Sequence, residues 1–389
     1  MEQNKQTFKK IMIKFFVKTF GCQMNVADSD FMSAYLLSNG YKRVDSPEKA
    51  DIIIVNTCTV RQHAEERALS YIGELKKLLT LNSKLKIYIV GCVASRLKEK
   101  LKKKFPYIDK IIPAAEIEKF PEILKNHETI NVIASSRCAS GLAMTTMSEF
   151  VTISRGCSNF CSYCVVPYVR GPEISRPKKD ILADVKKLIL SGRNEITLLG
   201  QNVNSYSSEL PSRFACGERV RSSKKKLRTK TDFADLLIEL DKIPEIKKIN
   251  FMTSHPKDMS DKIIETIANC KKVSRQIHLP VQSGSNKILK LMNRKYTREK
   301  YLKIIEKLRK KIPDVIFTTD IIVGFPSETE KDFQQTLSLV QDVGYASAFT
   351  FKYSPREGTK AFSMKDDVPL EIKKNRLAKL NDLLQNIRS

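Results

Sequence analysis

Hydrophobic and polar positions along this chain alternate between strand-like and helix-like periods in two separate stretches. In the first, three apolar runs each close on a cysteine and lead into a helical segment. KFFVKTFGC ends at Cys22 before DSDFMSAYLLSNG, ADIIIVNTC ends at Cys58 before AEERALSYIGELKKLL, and LKIYIVGC ends at Cys92 before SRLKEKLKKKF. Strands alternating with helices predict an α/β fold with a doubly wound parallel sheet. In such a sheet all strand carboxyl ends share one edge, where ligands bind, so cysteines 36 and 34 residues apart are expected to meet there as a triangle of thiolates. One buried cysteine is often only a small packing group, but repetition in three successive units points to metal or redox use.

A stretch with little period, ASSRCASGLAMTTMSE, marks a boundary over 134–149. From Val151 the alternation restarts. Strand-like runs are VTISRGC, EITLLGQN (195–202), KINFMTSHP (248–256), RQIHLPVQS (275–283), VIFTTDIIVGFP (315–326) and ASAFTFKYS (346–354), with helical stretches including 285–311 and 328–342. Six such units in roughly 200 residues predict a partial (β/α) barrel whose function sits in the loops at the strand carboxyl ends. The expected domains are therefore 1–133, a linker 134–149, the barrel 150–366 and a helical segment 367–389. A polar insertion at about 206–231 interrupts the barrel; Arg213 to Lys230 carries eight Lys or Arg against one Glu and reads as a surface loop able to clamp phosphate backbone.

At 389 residues and 41% hydrophobic content the chain can fill two ordinary cores. No run is long enough to span a bilayer, and IMIKFFV (11–17) is too short for a signal peptide, so a cytoplasmic protein with reduced thiols is expected. Nine cysteines, an odd number, argue against a closed disulfide framework. The formal charge of +26 calls for a polyanionic partner, because each phosphate neutralised by Lys or Arg releases counterions.

The densest chemistry is CSNFCSYC, with Cys157, Cys161 and Cys164 in the first barrel loop. Zinc sites favour paired short spacings and a closed set of four ligands, and no histidine lies between His127 and His255. A 4Fe-4S cluster held by three thiolates instead leaves one iron open for a small chelating molecule.

This loop, with Tyr163 before its last cysteine, resembles the motif of the radical S-adenosylmethionine superfamily. Further phrases, GCQMNVADSD (21–30), NTCTVRQHAEERA (56–68), CVVPYVRGPEISRP (164–177), GQNVNSY (200–206), HLPVQSGSNKILKLMNR (278–294) and TTDIIVGFPSET (318–329), are similar to its methylthiotransferase family, in the branch acting on dimethylallyladenosine in tRNA, the MiaB type. The likeness runs from about Phe16 to about Ala361.

The resemblance implies insertion of sulfur at C2 of N6-(dimethylallyl)adenosine beside the anticodon, followed by S-methylation. It assigns Cys157, Cys161 and Cys164 to the radical 4Fe-4S cluster and Cys22, Cys58 and Cys92 to an auxiliary 4Fe-4S cluster. S-adenosylmethionine serves as radical source and methyl donor. The implied partners are the tRNA anticodon stem-loop and an electron donor such as a flavodoxin or ferredoxin, with no membrane. Strand-end polar groups are the candidates for the S-adenosylmethionine pocket: Gly200, Gln201, Asn202, Ser254, His255, Gln282, Ser283, Arg294 and Asp320, with Tyr163 near the adenine. Any strand-end Asn or Ser also has an ordinary use as a turn or helix cap.

The chain departs from the family pattern at three points. Ser158 stands where an acidic residue is common; Cys138, Cys216 and Cys270 match no ligand position; and the sequence stops at Ser389 in a basic helical segment where the family pattern has a small β-rich RNA-binding domain, the expectation being that this domain is absent or truncated: either the natural protein is longer, or the basic face and the loop at 213–230 supply the grip on tRNA. Two other functions fit these residues: a sister methylthiotransferase acting on N6-threonylcarbamoyladenosine or a ribosomal protein aspartate, and a non-catalytic iron-sulfur RNA-binding protein.

Overall fold

The computed structural model describes residues 12–60, 62–125, 148–209 and 230–388. Most of the 134–149 boundary, the basic residues 210–229, and Cys138 and Cys216 lie outside the described residues. The chain divides into two compact units, Met1–Ser148 and Glu149–Ser389.

In the first unit β1 (Lys14–Thr19), β2 (Lys42–Arg43), β3 (Ile52–Thr57), β4 (Lys86–Gly91) and β5 (Lys110–Pro113) form one parallel sheet in the order β2-β1-β3-β4-β5. Helices α1 (Gln23–Ser38), α2 (Gln62–Glu74), its short continuation α3 (Lys76–Leu79), α4 (Cys92–Lys104) and α5 (Phe120–Lys125) cover both faces. Strand side chains alternate between the two layers. Ile53, Val55, Ile87 and Ile89 pack with Ala68, Ile72 and Leu101 of α2 and α4. Ile52, Ile54, Tyr88 and Val90 pack instead with Met32, Leu36, Phe120 and Leu124 of α1 and α5. Burial on both faces explains why β3 reads as an unbroken apolar run.

The second unit carries β6 (Phe150–Thr152), β9 (Glu195–Leu199), β12 (Lys248–Phe251), β13 (Gln276–His278), β14 (Ile316–Val323) and β15 (Ser347–Lys352) in sequential parallel order. They form two three-stranded sheets that meet where Ile249 N donates to Lys272 O at 2.8 Å and accepts back through its own carbonyl from Ser274 N at 2.9 Å. This is the open six-unit barrel. Two antiparallel pairs are added: β7 (Ser154–Arg155) with β8 (Ile174–Ser175), and β10 (Ser207–Glu209) with β11 (Lys230–Asp232) at the base of the polar insertion. The helices are α6 (Val166–Arg170), α7 (Lys178–Leu190), α8 (Phe233–Asp241), α9 (Asp261–Asn269), α10 (Asn286–Leu291), α11 (Arg298–Lys311), α12 (Glu330–Val343) and α13 (Leu370–Arg388). Asp232, Ser260, Thr297 and Thr329 cap α8, α9, α11 and α12 by accepting a first-turn backbone N–H.

The helix expected over 285–311 is two helices. Between α10 and α11 the chain turns through left-handed Asn293 (φ 59°) and Lys295 (φ 62°), and the carbonyls of Leu291 and Met292 face Ser162 of the cysteine loop. At the far edge α13 packs along β15, with Thr350 Oγ1 donating to Asn381 Oδ1 at 2.7 Å. Its Arg376 donates to the buried Glu328 at 2.9 Å, and Glu328 also accepts from Gly324 N at 2.6 Å. Gly324 (φ +69°) lies flat under Lys373: a Cβ there would sit 2.3 Å from the lysine Cγ. No helix among the described residues is long and apolar enough to cross a membrane.

Candidate functional site

In the first unit, β1, β3 and β4 end in register, with Thr19 beside Asn56 and Thr57 beside Gly91. Cys22, Cys58 and Cys92 follow immediately, so the sheet edge brings the three loops together. Two glycines make the approach possible. A Cβ on Gly21 (φ +138°) would lie 2.6 Å from the Cys58 Cβ, and one on Gly91 (φ +95°) 2.5 Å from Thr57 O.

A buried amide lattice then fixes the edge. Asn25 Nδ2 donates to Asn56 Oδ1 (2.9 Å) and Thr57 O (3.1 Å), Asn56 Nδ2 donates to Asn25 O (2.8 Å) and Ser29 Oγ (3.0 Å), and the Cys22 thiol donates to Asn25 Oδ1 (3.3 Å). The loop of Cys58 is tied to the helix of Cys92 by Arg96, which pairs with Glu65 and donates to Thr59 Oγ1 at 2.9 Å, while Thr59 Oγ1 donates to Glu65. Among the described residues no three His, Cys, Asp or Glu side chains are close enough to hold a single metal ion. Thiolates on a cubane each bind a different iron and so stand farther apart than the ligands of one ion.

In the second unit the Cys157–Cys164 loop follows β7. Gly156 (φ +75°) allows the turn, since a Cβ would lie 2.0 Å from Pro172 O, and Cys157 N donates to Gly171 O at 3.1 Å. The turn between α10 and α11 grips the loop from the other side. Ser162 N donates to Met292 O (3.0 Å), Ser162 Oγ to Leu291 O (2.8 Å) and Asn293 Nδ2 to Phe160 O (2.7 Å). Burial pushes the Cys157 thiol up and the Cys164 thiol up to about 12, so ionised sulfur here needs a cationic partner such as bound metal.

Beside this loop lie the ends of β7, β9 and β12. Ser154 Oγ, Gln201 Oε1, Asn202 Oδ1 and Ser254 Oγ are buried with no hydrogen-bond partner in the protein, and Gly200 is flush against Ser154, its Cβ position 2.5 Å from that hydroxyl. Orphaned buried oxygens of this kind ask for a ligand rich in donors. Asn204 clamps the backbone of His255 at both N (2.9 Å) and O (3.0 Å). His255 Nδ1 accepts from Lys257 N at 3.2 Å, which leaves Nε2 as the protonated nitrogen. Burial, with the Arg294 and Lys257 charges, pulls this imidazole down to about 2, so it is neutral. Thr253 (φ 72°) and Gln282 (φ 69°) are non-glycine residues held in left-handed backbone at these strand ends, the kind of strain that collects at ligand sites.

The remaining candidates sit differently. Ser283 is fully buried, accepting from Ser285 N at 3.2 Å, and is used up inside a turn. Asp320 on β14 has Oδ1 3.5 Å from His278 Nε2. Arg294 points at the cysteine loop, with Nη1 3.4 Å from both Cys161 Sγ and Tyr163 Oη. Cys270 is buried in the barrel core. A cavity of about 470 Å³ between the starts of α10, α11 and α12 contains none of these groups, and its Lys287, Asp332 and Arg298 are already ion-paired. Sequence reasoning missed Ser154, Asn25, Asn56, Thr59, Glu65 and Arg96. Ser154, a small polar residue at a strand end just before the cysteine loop, carried a positional signal, as did Asn25, Asn56, Thr59 and Glu65 within the motif phrases around Cys22 and Cys58; their mutual bonds did not.

Residues 14–113 match a family described as Uncharacterized protein family UPF0004, and residues 151–340 match the Radical SAM superfamily. The chain is 47% identical over 387 residues, 96% of its length and 82% of the relative's, to the tRNA-2-methylthio-N(6)-dimethylallyladenosine synthase of Clostridium botulinum strain Hall. It is 46% identical over 386 residues, 96% and 83% of the two chains, to the synthase of that name from Carboxydothermus hydrogenoformans. Among solved structures, a radical S-adenosylmethionine methyltransferase from Kitasatospora setae aligns with TM-score 0.62 at 11% identity, covering 90% of this chain and 77% of that one. The cobalamin-dependent radical enzyme OxsB aligns with TM-score 0.56 at 12% identity, covering 97% of this chain and 56% of that one. The structural likenesses carry the fold alone, whereas the sequence identity carries the family: the chain belongs to the tRNA-2-methylthio-N(6)-dimethylallyladenosine synthase family of radical S-adenosylmethionine enzymes.

Proposed function

We propose that this enzyme inserts sulfur at C2 of N6-(dimethylallyl)adenosine next to the tRNA anticodon and methylates it. The observation that carries the reading is near-full-length identity of 47% to synthases of that name, in a chain that sets Cys22, Cys58 and Cys92 at the carboxyl ends of parallel strands and Cys157, Cys161 and Cys164 on the loop after β7. Cys157, Cys161 and Cys164 would hold a 4Fe-4S cluster, and Cys22, Cys58 and Cys92 would hold a second one, which would supply or anchor the sulfur. A radical cluster with bound S-adenosylmethionine supplies a carbon radical able to take hydrogen from an aromatic C–H, chemistry outside the reach of any side chain.

The chain's own residues bind and orient. Gln201 Oε1, Asn202 Oδ1, Ser154 Oγ and Ser254 Oγ offer acceptors to an ammonium group and sugar hydroxyls, Gly200 lets the ligand lie against the strand ends, and neutral His255 presents an Nε2–H donor. Cys157 and Cys161 themselves are buried, whereas Ser158 and Phe160 between them face solvent. The tRNA substrate matches the charge of +26; a low-potential flavodoxin or ferredoxin supplies electrons, in the cytoplasm. The test is mass spectrometry of nucleosides from tRNA of a strain lacking the gene: the 2-methylthio nucleoside is expected to vanish and to return on complementation. Its persistence would overturn the proposal.

A further inference from the structure

Arg294 is 4% exposed and enters the cysteine loop from a turn 133 residues later in sequence than Cys161. Its guanidinium has five N–H groups. Nε donates to Tyr296 Oη (3.1 Å), Nη1 to Cys161 Sγ and Tyr163 Oη (3.4 Å each), and Nη2 to Pro280 O (2.8 Å). One N–H on Nη2 remains, too few for the two-point grip that arginine makes on a carboxylate. None of these acceptors is a carboxylate, so among the described residues the buried cation has no formal counter-charge. A buried charge needs one. The Cys161 sulfur is what its geometry reaches, and a sulfur that ligates iron is a thiolate.

The position is also built. Left-handed Asn293 and Lys295 flank Arg294, and Asn293, Met292 and Leu291 all hydrogen-bond to the 160–162 segment of the loop. These bonds fix the turn against the loop, and those of its own Nε, Nη1 and Nη2 hold the guanidinium at the sulfur.

We infer that Arg294 is a positioning residue that donates a fixed hydrogen bond to the Cys161 sulfur and raises the reduction potential of the cluster on that loop, rather than a contact for S-adenosylmethionine. Reduction adds one electron to the cluster and breaks no bond. A cation with a hydrogen bond to a ligand sulfur favours the more negative, reduced state. This rests on the proposal that Cys157, Cys161 and Cys164 hold a cluster.

The test is a redox titration, followed by electron paramagnetic resonance, of anaerobically reconstituted full-length wild type, Arg294→Met and Arg294→Lys. The signal followed is the one that changes when S-adenosylmethionine is added. Arg294→Met is expected to move the midpoint to more negative potential and Arg294→Lys to move it less, with affinity for S-adenosylmethionine within about threefold of wild type, or ~0.7 kcal/mol. An unchanged midpoint together with affinity weakened more than about tenfold (~1.4 kcal/mol) would overturn the inference and make Arg294 a cofactor contact. Should the Met variant lose its iron, the Lys variant, which keeps the charge, is expected to retain it; loss in both at an unchanged melting temperature also overturns the electrostatic role. A wild type with no iron on this loop would sink the underlying cluster assignment instead.

Discussion

Gly21→Ala tests whether the sheet edge works as a cluster site. The added Cβ would meet the Cys58 Cβ at 2.6 Å and Asn25 Oδ1 at 2.7 Å. Ordinary carbon contacts begin near ~3.5 Å, so the loops of Cys22 and Cys58 must part by about 1 Å. Neither obstacle is the far end of a flexible side chain, because one is a Cβ and the other belongs to the buried amide lattice. The cost is about 1–3 kcal/mol for a side chain at φ +138° and a further ~1–3 kcal/mol for the overlap. Gly40→Ala is the control: it has φ +82° but nothing within 4 Å, so it pays the strain of about 1–3 kcal/mol alone. The assay is iron and acid-labile sulfide per chain after anaerobic reconstitution, beside a thermal melt. Two cubanes give roughly eight irons. Gly40→Ala is expected to keep them and Gly21→Ala to drop to about four, the loop of Cys157 remaining loaded. Equal iron in the two variants would refute the reasoning that the Cys22–Cys58 approach is what the auxiliary site requires.

Cys161→Ala should abolish formation of 5′-deoxyadenosine yet leave about four irons in the first unit; loss of all iron would contradict independent sites. Glu65→Ala removes the carboxylate that Arg96 and Thr59 share and should destabilise the first unit by about 1–3 kcal/mol and shed the auxiliary iron, with Glu65→Gln milder, as read by iron counts and urea melts. His255, lowered from 6.5 to about 2, stays neutral when folded while the unfolded chain takes up a proton. Its stabilisation is therefore present above pH 6.5 and is lost as pH falls below it, by up to ~1.4 kcal/mol per unit. His255→Asn should remove about 2 kcal/mol of the acid loss between pH 6.5 and pH 5, and an unaltered slope would refute the assignment. Affinity for tRNA should drop about 10³-fold between 50 and 200 mM salt, as for six or so neutralised phosphates, and a flat response in a filter-binding titration would leave the basic surface unexplained.

The strand-end placement of the cysteines was legible because a parallel sheet puts every carboxyl end on one edge, so counting strands locates Cys22, Cys58 and Cys92 without any contact information. The Asn25–Asn56 lattice was not, since it depends on how the first turn of α1 is laid over the end of β3. Short polar strands such as Lys42–Arg43 have no apolar period to read. The break between α10 and α11 was hidden for a related reason: ILKLMNRKY keeps a helical pattern, and what ends the helix is the demand of a loop 130 residues earlier for the Leu291 and Met292 carbonyls. Ser283 illustrates the converse. It stands at a strand end like Ser254, and the neighbours Ser285 N and Thr336 Oγ1 distinguish a turn-forming hydroxyl from an orphaned one.

The clasp at Gly324, Glu328, Lys373 and Arg376 makes the last helix a stave of the barrel, not an appendage. Shearing off residues 370–388 would take the cation from an interior carboxylate and uncover the apolar core beneath Leu380 and Leu384. Trimming from that end trades length for self-adhesion.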